Sequence, residues 1–261
     1  MDEIVTERSG GVLRVELNRP AKKNAMTSAM YVTLADTFHQ AAADEDTRAV
    51  LWHGAGDSFC AGNDLEDFLK NPPGPGESPQ AKLMTALLDF DKPLVTAVRG
   101  AAIGGGTTML LHCDFIYAGE STKFQLPFVN LALVPEFGSS CLLPARIGHV
   151  RAAELILLGG AFDARRAADI GLVTQILTDQ AVLPIATETA RRLATKPTSA
   201  LQASKRLMKR PFHDQIKAAM MAENEAFSAQ VRSEDAKEAL TAFMEKRVPD
   251  FTRKIRSETA R

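Results

Sequence analysis

Three consecutive glycines, Gly104, Gly105 and Gly106, and one glutamate, Glu136, are the reactive candidates of this sequence. The glycines lie in Val98 to Asp114, VRGAAIGGGTTMLLHCD, after the apolar run Pro93 to Val98 and before the helix-compatible run Thr107 to His112. A strand, glycines and a helix in this order present free N–H groups to an anion or a polarised carbonyl. The same order also describes a tight crossover packed against its neighbours. Glu136 follows Pro135 at the expected entry to a helix, among apolar and small residues from Leu131 to Ser140. A first-turn carboxylate is stabilised by the helix N–H groups and dipole. Burial instead opposes the charged form and makes the same group a proton acceptor and donor. Both readings stand at this level.

Other reactive patterns fail. No GxGxxG follows a strand at the required spacing, and no Lys-Ser or Lys-Thr pair follows the glycines, which argues against dinucleotide and P-loop sites. His53, His112 and His149 form no HExxH pattern, and His53 and His112 read as packing residues near element ends. Ser139 and Ser140 lack the G-x-S-x-G frame. Cys60, Cys113 and Cys141 show no paired metal-ligand spacing, and their odd number argues against a disulfide scaffold and for a reducing, cytoplasmic compartment. The cluster Lys205, Arg206, Lys209, Arg210 reads most simply as a solvated helix face; the alternative is contact with an anionic cofactor or a partner subunit.

Several elements must position these groups. Val12–Leu17 alternates in the strand manner after Gly10-Gly11, and Ala49–Gly54 reads as a buried strand. Between them Thr27 is placed to cap a helix running to about Ala43. This strand–helix–strand order predicts α/β construction. Positions 71–79 contain four prolines and read as an irregular surface loop, either a lid or a plain connection. A helix is expected from Gln80 to Phe90, a strand at Phe115 to Ala118, and helices at Ala152 to Leu158 and, capped by Asp163, Ala164 to Ile170. Beyond Leu177 the texture turns helical, at about 181–194, 198–209, 213–230 and 233–246. Such a terminal helical layer often makes a subunit interface. Length (261 residues), 45% hydrophobic content and a net charge of -1 describe an ordinary globular chain with no basic surplus for nucleic acid. No apolar run reaches a membrane-spanning length. The polar start MDEIVTERSG does not read as a secretory signal, nor the end as a peroxisomal one.

With these residues assembled, the sequence resembles the crotonase superfamily of enoyl-CoA hydratases and isomerases. The resemblance rests on Phe59-Cys60-Ala61-Gly62-Asn63-Asp64-Leu65, Val98 to Asp114, Phe115 to Gly119, Gly171-Leu172-Val173 and Phe243 to Arg247. It implies a spiral core of β-β-α units over residues 1–195, a helical C-terminal trimerisation region over 196–261, and a homotrimer or dimer of trimers. It also implies an acyl-CoA substrate and no further cofactor. By motif position the backbone N–H groups of Asn63 and Gly105 would polarise the thioester carbonyl. Lys22, Lys23, Ala25 and the backbone near Ala61 would hold CoA, with Lys246 of a neighbouring subunit reaching its phosphates. Hydratases of the family carry glutamates where this chain has Thr108 and Phe128, so two-carboxylate hydration is not expected. One isomerase branch uses a glutamate in a Pro-Glu-Gly-Cys-Ser-Ser type sequence, matched here by Pro135-Glu136-Phe137-Gly138-Ser139-Ser140. The resemblance therefore implies Δ3–Δ2 enoyl-CoA isomerisation by Glu136, against an apolar wall of Leu126, Phe128 and Phe137. A different acyl-CoA reaction, including hydration, and a non-catalytic acyl-CoA-binding trimer are the alternatives.

Overall fold

A computed structural model of the chain describes residues 2–71 and 78–252. The strands in chain order are β1 (Ile4–Ser9), β2 (Val12–Leu17), β3 (Ala49–Gly54), β4 (Leu94–Val98), β5 (Ala101–Ile103), β6 (Phe115–Gly119), β7 (Lys123–Gln125), β8 (Phe162–Asp163) and β9 (Gln175–Leu177). The helices are α1 (Ser28–Ala43), α2 (Leu65–Lys70), α3 (Pro79–Asp89), α4 (Gly105–Thr108), α5 (Ser139–Ile147), α6 (His149–Leu158), α7 (Ala164–Asp169), α8 (Asp179–Ala194), α9 (Thr198–Lys209), α10 (His213–Gln230) and α11 (Glu234–Met244).

A six-stranded sheet has the order β1-β2-β3-β4-β6-β9, parallel except for the β1–β2 hairpin at its edge. β3 and β4 are buried along their whole length, as expected of parallel strands covered on both faces. Because side chains alternate across a strand, Val50 and Trp52 enter one core with α1 and α3, while Ala49 and Leu51 enter the other with Val182, Ala186 and Ala190 of α8. A smaller sheet, β5-β7-β8, stands beside the first, and Cys60 extends it through a bridge to Ala102. The repeat is thus a strand of the large sheet, a short strand of the small one, then a helix: β4, β5, α4, then β6, β7, α5. This is the crotonase-like α/β architecture that the resemblance implies.

The expected helices recur within a few residues, with Thr27 and Asp163 as side-chain caps. The run Thr107 to His112 divides into α4 and a 3-10 turn at Met109–His112. The unexpected elements are short or exposed. β1 buries only its first residue, so it carries no apolar alternation, and β5 and β7 are three residues each. The lid reading of 71–79 falls largely on residues 72–77, which lie outside the described residues, as do residues 253–261.

Candidate active site

Three chain segments meet at one cavity. The first follows β3. Met26 N–H donates to Gly62 O and Asp64 N–H donates to Met26 O, both at 2.8 Å, which fixes the backbone on either side of Asn63. Tyr31 of α1 donates its hydroxyl to Asn63 Oδ1 at 2.7 Å. The second is the glycine run. Gly104 has φ of 55°, in the left-handed region. A Cβ on Gly105 would stand 3.0 Å from Glu136 Oε1 and 3.2 Å from the Tyr31 hydroxyl, and one on Gly106 would collide with the Cys60 carbonyl oxygen. Glycine is therefore required at 106 by close approach to backbone, and a side chain at 105 would press on the Glu136 carboxyl and the Tyr31 hydroxyl. Gly105 opens α4, so its N–H has no acceptor within the helix. Among the described residues no hydrogen bond engages that N–H or the one of Asn63.

The third segment carries Glu136. It is followed by two left-handed residues, Phe137 (φ 59°) and Gly138 (φ 69°), and α5 begins only at Ser139. A left-handed phenylalanine is strained and needs outside support. His112 provides one support, with Nε2 2.8 Å from the Phe137 carbonyl oxygen. Burial lowers the pKa of His112 to about 3, so the ring is neutral and must donate from Nε2. Glu223 of α10 provides the other, accepting from Gly138 N–H at 2.6 Å and Ser140 N–H at 2.8 Å. The carboxylate at the N-terminus of α5 is thus Glu223, and the reading of Glu136 as that helix's own first-turn carboxylate is corrected. The physical reason is the turn, which places Glu136 ahead of the free amides.

Glu136 is 4% exposed, and its Oε1 has no hydrogen-bond partner among the described residues. Burial, helped by the negative charge of Glu223, raises its pKa to about 8. Tyr31 is also raised, first by burial and then by Glu136, so it remains a neutral donor. Burial pushes the Cys60 thiol up to about 12, which removes it as a nucleophile at neutral pH. A buried carboxyl with a bare oxygen near neutral pKa, facing a glycine backbone, can exchange protons with a bound carbon acid.

The cavity has a volume of about 670 Å³, room for a medium-sized ligand. Lys22, Ala25, Ala61, Asn63, Gly105, Phe128 and Glu136 all line it. Four expected site residues do not. Lys23 is exposed and meets the site only through its carbonyl, which accepts from Ala61 N–H at 3.0 Å. Leu126 belongs to the core. Phe137, fully buried, stacks on Tyr31 behind Glu136, because its left-handed backbone turns the ring away from the cavity. Lys246, exposed just beyond α11, is absent from this chain's lining, whereas Arg247 belongs to it. Tyr31, His112 and Glu223 are the residues that sequence reasoning missed as site members. Tyr31 and His112 sit in apolar helical runs, and Glu223 in a Glu-Asn-Glu stretch that reads as solvated; no local signal marks them.

A family model described as enoyl-CoA hydratase/isomerase matches residues 7–254. The chain belongs to the enoyl-CoA hydratase/isomerase family. It is 34% identical to the 1,2-epoxyphenylacetyl-CoA isomerase of Escherichia coli (strain K12), over 97% of this chain and 100% of that one. It is 32% identical to the enoyl-CoA delta isomerase 2 of Rattus norvegicus, over 92% of this chain and 63% of that one. Among solved structures, the enoyl-CoA hydratase/isomerase of Pseudoalteromonas atlantica T6c superposes with a TM-score of 0.92 at 38% identity, covering 96% of this chain and 100% of that one. At the two positions where hydratases of the family carry glutamate, this member places a fully buried Thr108, its hydroxyl 3.4 Å from the Gly104 and Gly105 carbonyls, and Phe128 in the cavity wall. The other carboxylates lining the cavity are Asp64 and Glu66. Asp64 caps α2 and pairs with Arg19 at 3.0 Å, and Glu66 lies exposed on the first turn of α2.

The basic cluster of α9 is a further correction. Lys205 is buried and Lys209 partly so, each donating to groups inside the protein. The expectation of a solvated face holds for Arg206 and Arg210, which are exposed, and fails for Lys205 and Lys209, because acceptors from distant segments take the place of water there.

Proposed function

We propose that the protein is a Δ3–Δ2 enoyl-CoA isomerase. The observation that carries this reading is the isolation of Glu136, a buried carboxyl with an unpartnered oxygen against Gly105, in a cavity where the hydratase carboxylate positions are Thr108 and Phe128. The thioester oxygen of a 3-enoyl-CoA accepts from the N–H groups of Asn63 and Gly105. Glu136 in its ionised form takes a proton from C2, and the charge passes into a dienolate whose oxygen the two donors stabilise. The same carboxyl returns a proton to C4, giving the 2-enoyl thioester. One base serves both carbons because they belong to one conjugated fragment held flat in the cavity. Phe128, Leu131 and Leu133 supply an apolar wall, which disfavours water addition to the product. Lys22 and Arg247 at the same cavity, with Lys246 of a neighbouring copy, supply positive charge for the CoA phosphates. No redox group enters the reaction.

A homotrimer or dimer of trimers is part of the reading. Exposed Leu207, Met208, Phe212 and Met221 on and between α9 and α10 support it, since a monomer gains nothing from apolar groups in water. Water addition is the second reading, favoured by the family description and by the name of the Pseudoalteromonas protein, which both include hydratase. The deciding experiment follows turnover of a medium-chain trans-3-enoyl-CoA, beside Glu136→Gln and a hydration assay on the 2-enoyl product. Isomerisation that falls by about 10²–10⁴-fold in the variant is the expected result. Wild-type turnover in Glu136→Gln, or hydration faster than isomerisation, would overturn it. The wild-type kcat/KM rises with pH through about 8, because the base form of Glu136 is the active one.

A further inference from the structure

Beside the acyl cavity lies a smaller niche of about 20 Å³, lined by Asn63, Gln80, Glu136, Asn224, Phe227 and Ser228, among others. That volume accommodates about one water molecule. Gln80, Asn224 and Ser228 line the niche but not the acyl cavity, whereas Asn63, Phe68, Glu136 and Phe227 line both, so the two spaces share the wall that carries Glu136. Gln80, in the first turn of α3, is 7% exposed, and its Oε1 has no hydrogen-bond partner among the described residues. The Oε1 of Glu136 is in the same condition. With Glu136 in its ionised, proton-accepting form, these are two buried acceptors on residues that line one small niche, and they call for a donor, since leaving them unpaired forfeits their hydration without return.

Counting donors selects the occupant. A methylene of an acyl chain offers none. A hydroxyl on such a chain offers one hydrogen and leaves one acceptor bare. Water offers two, one for each, and its own lone pairs can accept from Ser228 and from the Asn224 amide, which lie four residues apart on one face of α10. We infer that the niche holds one water molecule donating to Gln80 and Glu136, and that this water is the route by which the Glu136 carboxyl exchanges its proton with solvent. The inference rests on the reading of Glu136 as the acid–base group. A seated acyl chain fills the main cavity, whereas Gln80, Asn224 and Ser228 belong to the niche and not to that cavity. The exchange is balanced: an O–H bond of the carboxyl breaks and one forms on the water, while a hydron of the water passes to the carboxyl, with no change in charge.

Isomerisation in D2O tests the route. In the wild type, part of the proton taken from C2 is replaced before its return, so solvent deuterium appears at C4 of the product. Gln80→Leu removes the amide and lines the niche with methyls. Deuterium at C4 per turnover then falls about tenfold, the effect of one lost buried hydrogen bond, while turnover stays within a few-fold of wild type. Ser228→Ala, a milder change, gives a smaller fall in the same direction and serves if Gln80→Leu does not fold. Equal labelling in wild type and in both variants would overturn the route. High-resolution crystal structures give a readout independent of activity: a water peak within hydrogen-bond distance of Gln80 and Glu136 in wild type, absent in Gln80→Leu. No peak in wild type, or an acyl-chain hydroxyl in its place, would overturn the site. A peak in a protein without isomerase turnover supports the site and overturns only the reaction.

Discussion

Two regions of this molecule bury charge, and they treat it in opposite ways. Along α9, Lys205 donates to the Lys92 carbonyl at 2.8 Å and to Asp114 at 2.7 Å, with its ammonium 5.3 Å from the Phe90 ring centre. Lys209 donates to the Leu88 carbonyl at 2.6 Å and the Phe90 carbonyl at 3.2 Å, at the C-terminal end of α3. Lys92 does the same for α1, through the Ala41 and Asp44 carbonyls at 2.7 Å. The ammonium groups of Lys209 and Lys92 meet helix ends that carry partial negative charge, that of Lys205 meets a carboxylate and a loop carbonyl, and their hydrogens are spent on structure. Around Glu136 the provision is reversed. Glu223 takes the amides of the nearest helix end, and Glu136 keeps an oxygen that no protein group engages among the described residues. A satisfied buried charge holds elements together; an unsatisfied one stores the free energy that a substrate proton can release.

The contrast can be broken at either end. The largest effect is expected at Glu136. Besides its loss of turnover, Glu136→Gln changes how stability depends on pH. The folded pKa is raised from 4.5 to about 8, so the wild-type contribution is complete below 4.5 and lost as pH rises through about 8. Across that window wild type loses about 1.4 kcal/mol per pH unit relative to the glutamine variant. Urea titrations of both proteins at several pH values check this, and parallel stability profiles would show that Glu136 is not buried in its neutral form. Lys205→Met comes next. Removing the ammonium strands Asp114 and the Lys92 carbonyl, at a cost of about 3 kcal/mol, while kcat of the folded fraction is unchanged. A drop in kcat larger than the drop in folded fraction would place α9 within the chemistry. The smallest change is Glu223→Gln. It keeps an acceptor for one of the Gly138 and Ser140 N–H groups, turns its own NH2 towards the other, and removes the charge that helps raise Glu136, so the acid limb of kcat/KM moves to lower pH. The accompanying loss of stability is about 1 kcal/mol, as for a weakened cap. An acid limb that stays in place would separate the two carboxyls electrically.

These regions also differ in how far the sequence disclosed them. Glu136 stood out through Pro135, its small neighbours and the match to the isomerase motif, and the glycines predicted exposed amides in a strand-to-helix junction. The supports of Glu136 were silent, because Tyr31, His112 and Glu223 come from three helical or turn segments whose spacing says nothing about their meeting. For α9 the sequence pointed the wrong way. Lys205 and Lys209 read as part of a solvated face, and the terminal helical layer as a subunit interface. The structure buries Lys205 and leaves Leu207 and Met208 65% and 68% exposed. Partners in segments about ninety to a hundred and twenty residues earlier supply the acceptors.

Local order was thus written in the chain: helix and strand periods, the caps Thr27 and Asp163, and glycine where a backbone must come close. These depend on neighbours within a turn or a strand, so spacing alone expresses them. The ionisation of Glu136, the assignment of the α5 terminus to Glu223, the withdrawal of Leu126 and Phe137 from the cavity wall and the burial of the α9 lysines emerged with folding. Each depends on desolvation and on partners brought from remote positions, and neither quantity exists until the chain has closed around the site.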